Sequence, residues 1–190
     1  TVEMCGRRRL PQTQSVAALC ALHNQATYAW KNNKGDRCSE GHMYPRSAAE
    51  QNAGICAAVV EHDIAKSKNG FLEADVEYAM DNCGMGGDLV VTANVSTIAA
   101  FIASAAGIPM CKHGSPANAD QGRHGSSDFM KLCKINTYVD PKKMSDCLEW
   151  HCFAFTEALD PGYKRIHKLT HKFAKLLHMN DIIGPLTNPL

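Results

Sequence analysis

A chain of 190 residues suffices for one good core, or for a core with a small helical lobe. Its 45% apolar content excludes a disordered polymer, and a net charge of +1 gives no reason to expect nucleic acid or a charged membrane surface as partner. No window reaches the roughly 18–20 continuous apolar residues of a membrane span. Ile98–Met110 comes nearest and is interrupted by Gly107 and Pro109.

In chain order, Gln12–Trp30 carries Val16, Leu19, Cys20, Leu22 and Tyr28 at helical spacing. Asn32–Arg46 is polar, holds Gly35, Gly41 and Pro45, and reads as a loop. Ser47 followed by Glu50 is a capping-box pattern, and the helix it starts runs to about Lys66 before Asn69-Gly70 breaks it. Phe71–Asn82 reads as helical or partly extended, and Leu89–Val91 is too short to assign. Ser96–Ala106 is an Ala-rich helix ended by Gly107 and Pro109, and Ile108–Cys111 is a short buried strand. Ser126–Leu132, Pro141–Trp150 and Tyr163–His178 are helical, with Asp140-Pro141 supplying an acidic cap and a proline at the first helical position. Alternating short strands and helices predict an α/β region over 81–190, preceded by a mainly helical region over 1–80.

The nine cysteines are scattered, form no paired C-x-x-C units, and read as thiols of a soluble protein in a reducing intracellular compartment, cytoplasm or organelle interior. Cys38 with His42, or Cys147, His151 and Cys152, have ligand chemistry but lack a second half-site, so no metal site is expected. The start at Thr1 fits a processed product or a portion of something longer. The basic run Lys164–Lys175 reads as a solvated helix face.

The most informative stretch is Asp81–Gly114. Gly84-Met85-Gly86-Gly87-Asp88 lets the backbone turn tightly and present bare N–H groups. Thr92, Asn94, Ser96 and Thr97 place short donors where a helix starts, and Lys112 adds a cation after the next apolar run. Glycine turn, helix N-terminus and lysine together make a cradle for phosphate oxygens. The local reading is a site for a phosphorylated, anionic ligand.

The order of these elements resembles the anthranilate phosphoribosyltransferase family. Its motifs are matched by Gly84–Asp88, by Thr92-Ala93-Asn94-Val95-Ser96-Thr97, by Lys112-His113-Gly114-Ser115, by Gly125-Ser126-Ser127-Asp128 and by the terminal Gly184-Pro185-Leu186-Thr187-Asn188-Pro189. The resemblance covers Asp81–Leu190. It implies a helical lobe on a mainly parallel α/β lobe, with the ligand between them. It also implies transfer of phosphoribose from phosphoribosyl pyrophosphate to the amine of anthranilate, in tryptophan biosynthesis. Gly84, Gly86, Gly87, Asp88, Thr92, Asn94, Ser96, Thr97 and Lys112 would hold the phosphates. His113, Gly114, Ser115, Asp160 and His171 would form an altered acceptor region.

Departures from the family pattern point one way. Met85 and Leu89 crowd the glycine turn, Ser115 stands for an acceptor-holding Asn, and Asp120–His124 replaces a serine-rich stretch. The family's A-P-x-x-H-P is Thr156-Glu157-Ala158-Leu159-Asp160-Pro161 here, so Asp160 would repel an anionic carboxylate. The family's acceptor-pairing Arg has no clear counterpart near His171 or Lys172. In the family, further strands and an Asp-Glu pair that holds magnesium follow the Gly-Pro-Leu-Thr-Asn-Pro motif. No Asp-Glu dipeptide occurs in these 190 residues. The expectation is therefore a degenerate, non-catalytic chain serving as a structural subunit, its truncated sheet edge covered by other protein chains. The alternative is an active phosphoribosyltransferase completed by a missing segment or a second chain, with magnesium only in that case. A nucleoside phosphorylase sharing the fold is a weaker third.

Overall fold

The computed structural model describes residues 48–84, 93–117, 124–163 and 183–190. The helix expected over Gln12–Trp30, the Asn32–Arg46 loop, Leu89–Val91 and the segment 164–178 lie outside the described residues.

Helix α1 spans Ala48–Val59 and runs into a π-helical turn, Val60–Ala65. Ile55, Val59 and Ile64 are its buried apolar residues, spaced to lie along one face. The break comes where the sequence places it. Gly70 takes a left-handed φ of +66°, and its N–H donates to Ser67 Oγ at 2.9 Å.

The following stretch is extended, which removes the helical option for Phe71–Asn82. Its burial alternates with period two. Leu72 is buried and Ala74 and Val76 half-buried, while Phe71, Glu73, Asp75 and Glu77 face solvent. That pattern suits an extended ribbon and no helix. Met80 then pairs alongside Met110, with Met80 N–H on Pro109 O at 2.8 Å and Cys111 N–H on Met80 O at 2.9 Å.

Helix α2 spans Val95–Ala105 and strand β1 spans Met110–Gly114. Gly107, at φ +88°, ends α2 with its N–H on Ser104 O, and Ile108 N–H reaches back to Ala103 O. Helix α3 (Ser126–Leu132) and helix α4 (Pro141–His151) lead to strand β2, Phe153–Glu157. The α4 start is as the sequence predicts: Pro141 opens the helix and Asp140 accepts Lys142 N–H at 3.0 Å. Strand β2 has no counterpart among the sequence-based expectations. It follows α4 abruptly because Cys152 adopts a left-handed φ of 55°, turning the chain from helix to strand in one residue. The two strands are parallel, in the register Met110–Phe153 through Gly114–Glu157.

Each face of this small sheet has its own packing. Cys111 and Ala154 join Leu72, Met144 and Leu148 in an apolar cluster under α4. On the other face Phe153 stacks on Phe101 of α2 at 4.7 Å between centroids, and Phe101 also meets Phe129 of α3. Tyr163, expected to open a helix, instead closes a turn: its N–H donates to Asp160 O and its ring is buried. No helix among the described residues is long and apolar enough to cross a membrane.

Leu148 is fully buried and Trp150, two residues on, is 80% exposed. Leu148→Ala is expected to cost about 2–5 kcal/mol, and Trp150→Ala about 0.5 kcal/mol or less. Urea unfolding of the two variants measures the difference; equal effects would contradict the packing described.

Candidate functional site

Strand β1 organises the site. All five of its residues are buried, Lys112 and His113 included. Lys112 Nζ lies 3.0 Å from Asn82 Oδ1, 3.4 Å from Asn82 O and 3.4 Å from Ser96 Oγ. Burial lowers the Lys112 pKa, and the nearby Cys83 and Asp81 charges work against that shift. The ammonium is thus held by neutral oxygens from the 81–84 turn and from the first turn of α2.

Ser96 is the meeting point of three elements. Its carbonyl accepts from Asn82 Nδ2 at 2.7 Å, its hydroxyl faces Lys112, and a Cβ placed on Gly84 would lie 3.8 Å from that hydroxyl. Gly84, Ser96 and Lys112 therefore converge at the N-terminus of α2, the end of a helix that favours anions. Asn94 occupies the cap position of α2, but its Oδ1 accepts from the buried Thr97 hydroxyl at 2.7 Å. Thr97 so braces the cap. Gly86, Gly87, Asp88 and Thr92, with Met85 and Leu89, lie outside the described residues, as does His171.

Two residues beyond the expected set hold the site together. Asp81 Oδ1 accepts the N–H groups of Cys83 (2.9 Å) and His113 (3.2 Å), and its Oδ2 accepts Asn188 Nδ2 at 2.9 Å. Asn188 Nδ2 also donates to Cys111 O at 2.8 Å. The terminal motif is thereby laid along β1, with Leu72 N–H on Pro189 O and the Thr187 hydroxyl within 3.0 Å of Ile183 O and Gly184 O. The signal for both residues is their place in the motifs: Asp81 opens the glycine-rich stretch and Asn188 sits in Gly-Pro-Leu-Thr-Asn-Pro. Burial, then the Asp81 charge, pushes the Cys111 thiol up to about 12, so it is an inert packing group.

Of the residues expected to form an acceptor region, His113, Gly114, Ser115 and Asp160 lie at the C-terminal ends of the two strands or in the loops that follow, where parallel α/β sheets carry ligands. Gly114 is required by contact: a Cβ there would sit 1.9 Å from Ser126 Oγ and 3.0 Å from the Phe155 ring. Ser115 O accepts Ser127 N–H at 3.3 Å and the Ser126 hydroxyl at 3.4 Å, joining β1 to the start of α3. Ala158 N–H donates to Gly114 O, which brings the loop after β2 alongside. Asp160 in that loop is buried, and its Oδ1 accepts Gly162 N–H at 2.7 Å. Its carboxylate holds a turn. His113 is buried beside these residues.

Two carboxylates near the site have structural partners. Asp81 and Asp128 are turned onto backbone N–H groups, Asp128 Oδ2 accepting Ala117 and Gly125 at 2.9 Å each. No group of three or more potential ligands occurs among the described residues.

Asn188→Ala is expected to lower stability by about 1–2 kcal/mol, since Cys111 O and Asp81 both lose a donor. Asn188→Asp sets a second carboxylate against Asp81, so its thermal midpoint falls further at pH 7 and partly recovers near pH ~4. A pH-independent Asn188→Asp effect would contradict the Asp81 contact.

Residues 76–190 match the family described as "Glycosyl transferase family, a/b domain". The chain is 35% identical over 144 residues to the anthranilate phosphoribosyltransferase of Bacillus cereus strain AH820, covering 75% of this chain and 40% of that protein. It is 40% identical over 114 residues to the enzyme of that name from Helicobacter pylori strain G27, covering 58% of this chain and 33% of that protein. The crystal structure of anthranilate phosphoribosyltransferase from Thermus thermophilus superposes with a TM-score of 0.59 at 23% identity, over 95% of this chain and 52% of that one, a likeness of fold. The chain thus spans less than half the length of these curated relatives. With its parallel strands, its Gly84–Ser96–Lys112 convergence and its docked terminal motif, the chain belongs to the anthranilate phosphoribosyltransferase family of glycosyltransferases.

Proposed function

We propose that this chain binds the pyrophosphate of phosphoribosyl pyrophosphate and carries that half of a phosphoribosyl-transfer site, with anthranilate as acceptor. The observation that carries the reading is buried Lys112, its Nζ within 3.4 Å of Ser96 Oγ at the start of α2 and beside Gly84. Preorganised donors of this kind stabilise the charge that develops on a leaving pyrophosphate and need little reorganisation as it forms. In such a transfer the acceptor's amine nitrogen forms a bond to C1 of the ribose while the C1–O bond to pyrophosphate breaks, and the nitrogen gives up one proton to the departing pyrophosphate or to solvent. The oxocarbenium-like ribose needs no side-chain nucleophile; the acceptor must be held in line at the C-terminal ends of β1 and β2.

A second reading has a specific observation in its favour. Asp160, standing for the family's histidine, is committed to its own turn and gives the acceptor's carboxylate no cation. On this reading the chain is a non-catalytic structural subunit whose partners are other protein chains. The solvent-facing Val95, Ile98 and Ile102 of α2 offer such a partner apolar area.

Calorimetry with phosphoribosyl pyrophosphate, followed by a fluorescence assay of anthranilate consumption, tests both. Lys112→Met is expected to weaken phosphoribosyl pyrophosphate binding and, where turnover is present, to lower it about 10²–10³-fold. Affinity should also decline as pH rises through the lowered Lys112 pKa, because the neutral amine loses its pull on the anion. Binding that is indifferent to Lys112→Met would sink the anion-site reading. Tight binding without turnover would favour the subunit reading.

A further inference from the structure

The loop after β2 is held at both ends. Ala158 N–H donates to Gly114 O at 2.8 Å, at the end of β1. At the far end the Gly162 carbonyl accepts two N–H groups, from Lys68 at 3.0 Å and from Asn69 at 3.2 Å, in the loop that follows the π-helical turn. Between these supports Asp160 closes a turn. Its Oδ1 takes Gly162 N–H at 2.7 Å and its carbonyl takes Tyr163 N–H at 3.1 Å. Both sides of the contact are anchored in the core, by buried Ile64 on one and buried Tyr163 on the other. The donor loop is itself braced, with Ser67 N–H on Ile64 O and Gly70 N–H on Ser67 Oγ, each at 2.9 Å.

Gly162 makes no use of glycine's conformational freedom. Among the described glycines only Gly70 and Gly107 have positive φ, so an alanine at 162 would meet no backbone strain. What excludes a side chain there is Asn69. A Cβ on Gly162 would lie 2.0 Å from Asn69 Oδ1, 2.2 Å from its Cγ and 2.3 Å from its Nδ2. Ordinary contact between such atoms needs about 3.5 Å, so the Asn69 side chain or the Gly162 backbone would have to shift by roughly 1 Å or more. Asn69 thus meets Gly162 twice, through its N–H on the carbonyl and through its side chain over the bare Cα.

We propose that Gly162 is a positioning residue: its bare Cα lets the loop after the π-helical turn seat on the Asp160 turn, and this clasp sets the acceptor end of the site. The acceptor role rests on the phosphoribosyl-transfer reading; the clasp itself does not. Asp160 lies between two supports, Gly114 O and the 67–70 loop, and loosening the second leaves its turn on the first alone. Gly84, Ser96 and Lys112 belong to other elements, so the proposed phosphate end should not feel the change.

The test takes the full chain as Gly162→Ala, as Asn69→Ala and as the double variant, through amide hydrogen exchange and then through calorimetry and anthranilate fluorescence. Gly162→Ala should lose protection at the Lys68, Asn69 and Tyr163 amides while the Cys111 and His113 amides keep theirs. Asn69→Ala removes all three obstructing atoms and keeps both N–H donors. Alone it should change exchange little, and in the double variant it should restore protection. A misplacement of about 1 Å can cost about 10²-fold in rate. Gly162→Ala should accordingly raise the KM for anthranilate and lower kcat/KM by up to about 10²-fold, with affinity for phosphoribosyl pyrophosphate unchanged and both parameters recovered in the double variant. Wild-type protection in Gly162→Ala, or a loss that Asn69→Ala fails to restore, would overturn the proposal. Should Gly162→Ala not fold, folding of the double variant supports the clasp and failure of both overturns it. Loss and rescue of protection with the anthranilate KM unmoved would overturn the acceptor role. A wild type that binds no phosphoribosyl pyrophosphate sinks the transfer reading and the acceptor role with it, while the exchange comparison still decides the clasp.

Discussion

An ammonium taken out of water is the constraint around which this chain is arranged. Lys112 is 1% exposed, and an unpartnered buried cation is among the most costly groups a fold can hold. The Asn82 side chain and carbonyl and the Ser96 hydroxyl must therefore stand where they do. That requirement fixes the 81–84 turn against the start of α2, and the turn in turn fixes Asp81. Asp81 then ties β1 to Asn188. The proposed anion site and the scaffold for the terminal motif thus share one origin, and a change to Lys112 should be felt at Asn188.

Much of this is legible in the residues. Gly107, the Asp140-Pro141 pair and the Asn69-Gly70 break each have a local physical cause, and each lies where that cause puts it. The convergence at the start of α2 is legible as spacing: Gly84, Ser96 and Lys112 are far apart in sequence and adjacent in space. Strand β2 is not legible. Phe153–Glu157 is too short for a period to show, and its start depends on a left-handed cysteine, a conformation no cysteine advertises. The extended run after Gly70 is half legible; its period-two burial is plain once Leu72, Ala74 and Val76 are seen against the cluster under α4.

Side-chain roles are harder to read than positions. Asn94, Ser96 and Thr97 all offer short polar groups at a helix start, yet only Ser96 faces the lysine, because Thr97 turns inward onto Asn94. Asp160 has the charge to repel an anion, but its oxygen is engaged by Gly162 N–H two residues on, a local competition typical of aspartate before a turn. Glu157 likewise departs from the family motif, and its Oε1 accepts Leu159 N–H at 3.2 Å two residues on.

The edge of β1 away from β2 carries a consequence for how the chain behaves in company. Its backbone groups there are met by Met80 of the extended ribbon, by the Asp81 carboxylate and by the Asn188 amide. A row of open N–H and C=O groups is a template on which a foreign strand can add, and such addition begins many aggregates. Groups that fill that row, from backbone and side chain alike, leave little to copy. The motif that closes the site therefore also serves as a guard against cross-chain pairing, and loosening Asn188 would expose β1 to its neighbours in a concentrated solution before it unfolded the protein.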